Sequence, residues 1–184
     1  FRSPSVDMST LTLAGNSPAQ TFKIASDGSV TGTGVSAWYN TATGSQTLDI
    51  AWTNDPTEGP TCIVVYAKDG DTTAWRDADA AATSSTTANS VTLTTVSGDL
   101  VIKYDQRFDG ATPPSLSASW TNAQTHNNVS ESAGVSYISA SGSTQACDSE
   151  DENFSSIVAI SIPAAAGGQS QAPRSMHQFR NRRT

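Results

Sequence analysis

Short segments in which apolar and polar residues alternate, separated by turn residues, constrain the fold of this chain more than any other feature. Gln46–Trp52 is the clearest, because it places Leu48, Ile50 and Trp52 on one face, as in a strand with one buried side. Ser and Thr supply 27 and 24 of the 184 residues. They suit the solvated side of such strands, so the pattern favours β-sheets over helices.

The same signals mark further strands along the chain. These segments are Met8–Leu13, Thr21–Ile24, Val35–Tyr39, Thr61–Ala67, Val91–Val96, Leu100–Tyr104, Leu116–Trp120, Val135–Ser139 and Ile157–Ile162. Ser97-Gly98-Asp99 predicts a hairpin between two of them, and the unbroken apolar run Thr61–Ala67 predicts a central strand covered on both faces. About ten such strands bury their faces by stacking two sheets. The sequence therefore predicts an all-β, jelly-roll-like, two-sheet antiparallel β-sandwich.

Charge divides the chain into two parts. The 10 Lys and Arg and the 17 Asp and Glu give a net charge of −7, and four of the Arg but no acid follow Pro163. The body, 1–165, is thus near −11 (6 basic against 17 acidic residues), and the tail is +4. Residues 166–184 are predicted to be an Ala/Gly/Gln linker with an irregular basic tail. An acidic body argues against nucleic-acid binding, which depends on neutralising phosphates.

The stretch 69–89 is rich in Asp, Ala, Thr and Ser and is predicted to be irregular. Asp69, Asp71, Asp77 and Asp79 are candidate calcium ligands, because Ca²⁺ takes several oxygen ligands. The alternative is a solvated acidic loop, since the spacing matches no calcium-binding loop. Trp75 lies in the same stretch, outside any clear strand. It is a candidate ligand contact that could stack on a sugar ring.

Few side chains here are suited to catalysis. His126, in a segment predicted to be a polar loop, and His177 lack metal-ligand spacing to a second His. No nucleophile elbow or phosphate-binding loop is present, so the sequence predicts a non-enzymatic protein without a cofactor. Cys62 and Cys147 leave two alternatives open, a disulfide between them or buried free thiols.

The basic tail combines apolar and cationic residues. Met176 and Phe179 are candidate anchors, while four arginines could pair with carboxylates on an acidic neighbour; they are Arg174, Arg180, Arg182 and Arg183. The alternative is a disordered terminus. No apolar segment is long enough to cross a membrane, so no membrane partner is predicted.

The order of strand motifs resembles that of a known β-sandwich domain. The motifs are Ala37–Tyr39, Thr43–Ile50, Cys62–Tyr66, Ser90–Ile102 and Ser156–Ala164. Over residues 5–165 they are similar to a domain that recurs in tailed-phage structural proteins and in modular secreted bacterial proteins. The resemblance implies no catalytic residues. Such domains open with an apolar strand before the part like Ser5–Leu13, which implies a trimmed start here or a strand supplied by another molecule.

The resemblance and the charge pattern together predict a bacteriophage structural protein at the virion surface or outside the cell. It would be a capsid decoration (cement) or fibre domain, an oligomer contacting its own copies or other virion subunits through sheet edges and the basic tail. The alternative is a secreted carbohydrate-binding or adhesion module, with a glycan bound near Trp75 and the neighbouring acids.

Overall fold

The computed structural model describes residues 8–23, 34–38, 45–52, 61–66, 74–83, 89–107, 119–127, 132–149, 155–164 and 175–180. Over these ranges the secondary structure is all β, without a helix, as the alternation predicts. The strands are β1 Met8–Leu13, β2 Gln20–Lys23, β3 Gly34–Ala37, β4 Leu48–Trp52, β5 Thr61–Tyr66, β6 Asp77–Thr83, β7 Ser90–Thr94, β8 Leu100–Arg107, β9 Thr121–Asn127, β10 Ser132–Ser139, β11 Thr144–Asp148, β12 Ser155–Ile162 and β13 Ser175–Arg180.

Five of these strands form the central sheet, in the order β6-β12-β8-β10-β9. The others pair two by two, as β1-β4, β2-β3, β7-β11 and β5-β13. Every pairing is antiparallel. Several antiparallel sheets around shared apolar clusters are consistent with a β-sandwich.

Strands β8 and β12 lie inside the central sheet and are covered on both faces. Consecutive residues from Leu100 to Lys103, and from Ser156 to Ser161, are buried, whereas a strand with one wet face would alternate. The predicted central strand Thr61–Ala67 differs from this. Its strand β5 pairs with β13 in a separate two-stranded sheet, so the central positions belong to other apolar segments.

An apolar cluster covers each face of the central sheet. On one face, strands β7 and β11 contribute Val91, Leu93 and Cys147. They pack on residues of the central sheet that include Val101, Ile157 and Ala159. The second cluster contains Leu100, Ile102, Val135 and Ile160, with Val35, Trp75 and Tyr137 packed against it. Strands β7 and β11 therefore form a second layer over the central sheet, and β3 contributes to the packing on the opposite face.

The turn predicted between β7 and β8 forms, but the hairpin does not. The Asp99 amide donates to the Val96 carbonyl (2.9 Å), and Gly98 adopts φ +96°, a backbone conformation in which a side chain is strained. Strand β7 pairs with β11, and β8 pairs with β10 and β12. The turn is a corner between two sheets, because two adjacent alternating strands do not specify whether they pair or separate.

Two segments predicted to be irregular are strands at the ends of the central sheet. Strand β6 lies within 69–89, and β9 includes the segment around His126 that was predicted to be a polar loop. Ala, Asp and Asn are depleted in strands, so local preference concealed both. Conversely, Ser119 and Trp120, predicted to end a strand, form the turn before β9; 116–118 lie outside the described residues.

The tail, predicted to be irregular, contains strand β13. It pairs antiparallel with β5 over six consecutive residues, from Ser175 opposite Tyr66 to Arg180 opposite Thr61. Its backbone also comes close to β9, which places β13 beside that end of the central sheet.

Candidate functional site

The two ends of the central sheet differ in the hydrogen bonds made by the backbone amides of the end strand. At the β6 end, the Ala78 amide donates to Asp77 Oδ1 (2.9 Å) and the Ala80 amide donates to Asp79 Oδ1 (2.8 Å). Amides of alternate residues point to the same side of a strand. Two donors that an added strand would need are therefore already bound to carboxylates of β6 itself.

Asp77 also joins β6 to the second layer. Its other carboxylate oxygen, Oδ2, accepts a hydrogen bond from the Thr94 amide of β7 (2.6 Å). Beside this contact, the Ser161 hydroxyl of β12 donates to the Thr94 carbonyl (2.9 Å). The β6 end of the central sheet is thus fastened to β7, which hinders strand addition there. Free strand edges are otherwise association sites that proteins block with charged side chains.

These bonds bear on the predicted calcium ligands. Both carboxylate oxygens of Asp77 accept backbone hydrogen bonds, and one oxygen of Asp79 does so. Asp69 and Asp71 lie outside the described residues. Within the described ranges, no group of three or more His, Cys, Asp or Glu side chains is arranged to hold a metal ion.

The β9 end carries none of these carboxylate contacts among the residues the structure describes. The sequence of β9, Thr121–Asn127, contains no Lys, Arg, Asp or Glu. A bulge-like register shift interrupts its pairing with β10 between Val135 and Ser136. Strand β13, which includes one arginine and no acid, comes close to this end, whereas β6 contains two aspartates. The two ends of the sheet therefore differ in charge as well as in hydrogen bonding.

The predicted tail contacts fall partly on β13. Met176, Phe179 and Arg180 belong to this strand, and Phe179 lies directly opposite Cys62 of β5. The arginines at 174, 182 and 183 lie outside the described residues. The tail residues identified as docking groups thus include a segment with the backbone geometry of a paired strand. Their role in partner binding stays a prediction.

Between the central sheet and the β7-β11 layer lies a buried ion pair that the sequence did not reveal. Lys103 Nζ is 3.1 Å from Asp105 Oδ2, and these side chains are only 4% and 3% exposed. The ammonium also donates to the Asp148 carbonyl (2.6 Å) and lies 5.0 Å from the centre of the Trp120 ring. Gly134, directly opposite Asp105 on β10, carries no side chain to compete for this space. The bond from Lys103 to Asp148 of β11 joins the two layers.

A second buried carboxylate, Asp99, fixes the corner between β7 and β8. It accepts hydrogen bonds from Arg76 Nε (2.6 Å) and Nη2 (3.3 Å) and from the Val96 amide (2.8 Å). Burial works to raise the pKa of Asp99, but hydrogen bonds from Arg76, Val96 and Ala164 and the Arg76 charge hold this pKa below its ordinary value. Asp99 thereby joins the start of β6, the corner and the residues after β12.

Cys147 is a free, fully buried thiol on β11, so the structure does not form the disulfide with Cys62 that the sequence left open. Burial raises the pKa of Cys147 to about 12; Lys103 opposes this shift and the neighbouring carboxylates reinforce it. A neutral, inaccessible thiol is a poor nucleophile and a poor metal ligand. The residue acts as a small apolar side chain in the cluster.

Trp38, Trp75 and Trp120 are each partly buried. Trp75, the candidate sugar contact, is partly buried against the second apolar cluster, and its amide donates to Gln20 Oε1 (2.9 Å). Trp120 packs against the first cluster, and the indole of Trp38 donates to the Asn16 carbonyl (2.9 Å). Packing accounts for the position of Trp75, and its role as a ligand contact stays a prediction.

No helix among the described residues is long and apolar enough to cross a membrane. Comparison with protein-family models, with curated proteins and with solved structures found no match to this chain. The likeness to phage and secreted bacterial domains therefore depends on the strand motifs alone.

Proposed function

We propose that this chain is a non-enzymatic structural protein of a bacteriophage particle. It would serve as a capsid decoration or fibre domain at the virion surface and assemble through sheet edges and its basic tail. The observation that carries the assembly part of this proposal is the contrast between the two ends of the central sheet. Carboxylates occupy edge amides at β6, whereas strand β13, which pairs with β5, comes close to β9.

The contrast between the β6 and β9 ends predicts which end of the central sheet takes part in assembly. A copy approaching the β6 end would have to displace hydrogen bonds of 2.8 and 2.9 Å made by carboxylates. The β9 end has no acidic residue in its strand, and strand β13, which includes Arg180, comes close to it. An approaching copy meets no carboxylate of β9 at this end.

The potentially reactive groups described above support a structural role. Asp77, Asp99 and Lys103 each hold one part of the fold to another, Asp105 pairs with Lys103, and Cys147 is buried in the first apolar cluster. The placement at a virion rests on the resemblance of strand motifs given above. It supplies the biological setting for a protein whose contacts are made by backbone edges.

Sedimentation velocity across a wide range of protein concentration tests this assembly. The wild-type chain should shift from small to larger species as its concentration rises. The double variant His177→Pro/Gln178→Pro should remain small, because adjacent strand residues point their amides to opposite sides, so one of the two prolines removes a donor that faces β5. A wild-type chain that stays monomeric throughout would contradict the proposal.

Two further variants complete the design. Ser97→Pro is the matched control, because Ser97 precedes Gly98 in the corner turn, a position that accepts proline; it should assemble like the wild type. Asp79→Ala releases the Ala80 amide and should increase association through the β6 edge. An Asp79→Ala chain that associates no more than the wild type would show that this carboxylate does not close the edge.

A further inference from the structure

We propose that strand β13 is exchanged between copies, so that in the assembled state β5 of one copy pairs with β13 of a second copy of this chain. This inference rests on the proposed function and specifies its contact: the partner is the same chain, the donor is Ser175–Arg180 and the acceptor is Thr61–Tyr66. The structure supplies the register of the pairing, six residues long and antiparallel.

The pairing of β13 can be transferred at little cost. The described residues of β13 form a ladder with β5 only, in a two-stranded sheet, and an isolated strand pair is marginally stable in water. The hydrogen bonds and side-chain neighbours of the pair are the same whether β13 comes from the same copy or from another. Exchange of an identical element is a low-cost route to association, and concentration then selects between the two arrangements.

The covalent connection permits this exchange. Ten residues, 165–174, separate the last described residue of the body, Ala164, from Ser175. A chain of this length reaches at most about 35–40 Å when extended, which is comparable to the diameter of a compact domain of this size, about 40 Å for a radius of gyration of about 15 Å. Strand β13 can therefore reach β5 of a neighbouring copy while its own body stays folded.

Charge is compatible with delivery of the tail to another copy. The tail carries four arginines and no acid, and the body carries an excess of about eleven acids. A tail placed on a neighbouring body brings opposite charges together, as it does on its own body, and offsets the repulsion between two acidic bodies. Each copy has one donor strand and one acceptor strand, so exchange forms a reciprocal dimer or a head-to-tail series.

The native Cys62 makes the exchange directly testable. Phe179 lies opposite Cys62, so Phe179→Cys places two thiols on directly opposed residues of an antiparallel pair, within disulfide reach. Cys147 is buried and unreactive and does not compete. The donor chain carries Cys62→Ser/Phe179→Cys, and the acceptor is the wild-type chain, so a 62–179 disulfide between them can form only between copies.

After mild oxidation of the mixture, the expected product is a covalent heterodimer of twice the monomer mass, with a 62–179 linkage identified by peptide mass spectrometry. The matched control donor is Cys62→Ser/Gln178→Cys. Gln178 lies opposite Ile63, and successive side chains of a strand point to opposite faces, so this donor should form little or no 62–178 heterodimer.

A Phe179→Cys chain that keeps Cys62 reports the same pairing within one copy. If it closes only an internal disulfide and the mixture yields no heterodimer, even at concentrations where the wild type assembles, exchange is refuted while strand pairing stands. If neither disulfide forms, the β5-β13 pairing itself is refuted. Sedimentation of the wild-type chain measures assembly independently of these disulfides. If the wild type still assembles when exchange is refuted, the proposed function stands and only the β5-β13 contact between copies is lost.

Discussion

Replacing Asp99 by Ala should destabilise the fold more than its single side chain suggests, because three segments depend on this carboxylate. The residue is 2% exposed and accepts bonds from Arg76 and from the Val96 amide. Removing one partner of a buried ion pair costs about 3–5 kcal/mol. The Arg76 side chain is 34% exposed and regains some hydration, so we expect a loss of about 2–3 kcal/mol in the free energy of unfolding.

Asp99→Asn is the matched control, since it keeps the size of the side chain and one acceptor oxygen but loses the charge. We expect it to cost about 1–2 kcal/mol. Both variants should be compared with the wild type by urea unfolding. The midpoint should fall while the dependence of free energy on denaturant is unchanged, because the surface exposed on unfolding is the same.

Dependence on pH separates the ion pair from simple packing. The pKa of Asp99 is lower in the folded than in the unfolded chain, so its contribution is fully present above the unfolded value of about 4. That contribution is lost as the pH falls through the folded value. The stability difference between wild type and Asp99→Asn should thus be constant from neutral pH down to about pH 5 and shrink below about pH 4. A wild-type stability equal to that of Asp99→Ala at neutral pH would refute this reasoning.

Three further predictions concern the buried groups. Lys103→Met should lower the free energy of unfolding by about 3–5 kcal/mol, because it leaves the buried Asp105 carboxylate without its cation. Lys103→Met/Asp105→Leu should restore most of this free energy, because an apolar pair leaves no buried charge. In urea unfolding, a double variant no more stable than Lys103→Met would contradict this prediction. In a Cys62→Ser chain, Cys147 should resist thiol reagents at pH 8 until urea unfolds the protein, since the pKa of this thiol is about 12; rapid labelling of the native chain would contradict its burial. Trp75→Ala should cost about 2–3 kcal/mol through lost packing. Wild-type binding on a glycan array that disappears in a still-folded Trp75→Ala chain would instead favour the carbohydrate-binding alternative.

The sequence predicted the strands that combine β-branched residues with clear boundaries. In segments such as Leu100–Tyr104 and Ile157–Ile162, local preference and tertiary burial agree. Strands β6 and β9 were missed because their Ala, Asp and Asn residues disfavour strands locally. Pairing with β12 and β10 decides their structure, and a single sequence gives no direct signal of such pairing.

In the candidate site too, the sequence indicates the residues but not the tertiary contacts that they make. Asp77 and Asp79 stood out as an acidic pair, but the spacing of two acids does not reveal that the next amide along the strand is the hydrogen-bond donor. Lys103 and Asp105 lie two apart in an alternating strand, which resembles a solvated face. Their burial depends on the β7-β11 layer, whose position follows from a corner at Asp99 that the sequence predicted as a hairpin.

Hydrogen–deuterium exchange of the β5 amides, Thr61–Tyr66, tests the pairing of β5 with β13 on which the proposed assembly depends. We predict that amides of β5 are protected in the wild type, and that His177→Pro/Gln178→Pro removes this protection while leaving β8 and β12 protected. Protection of β5 that is unchanged by the two prolines would contradict the account.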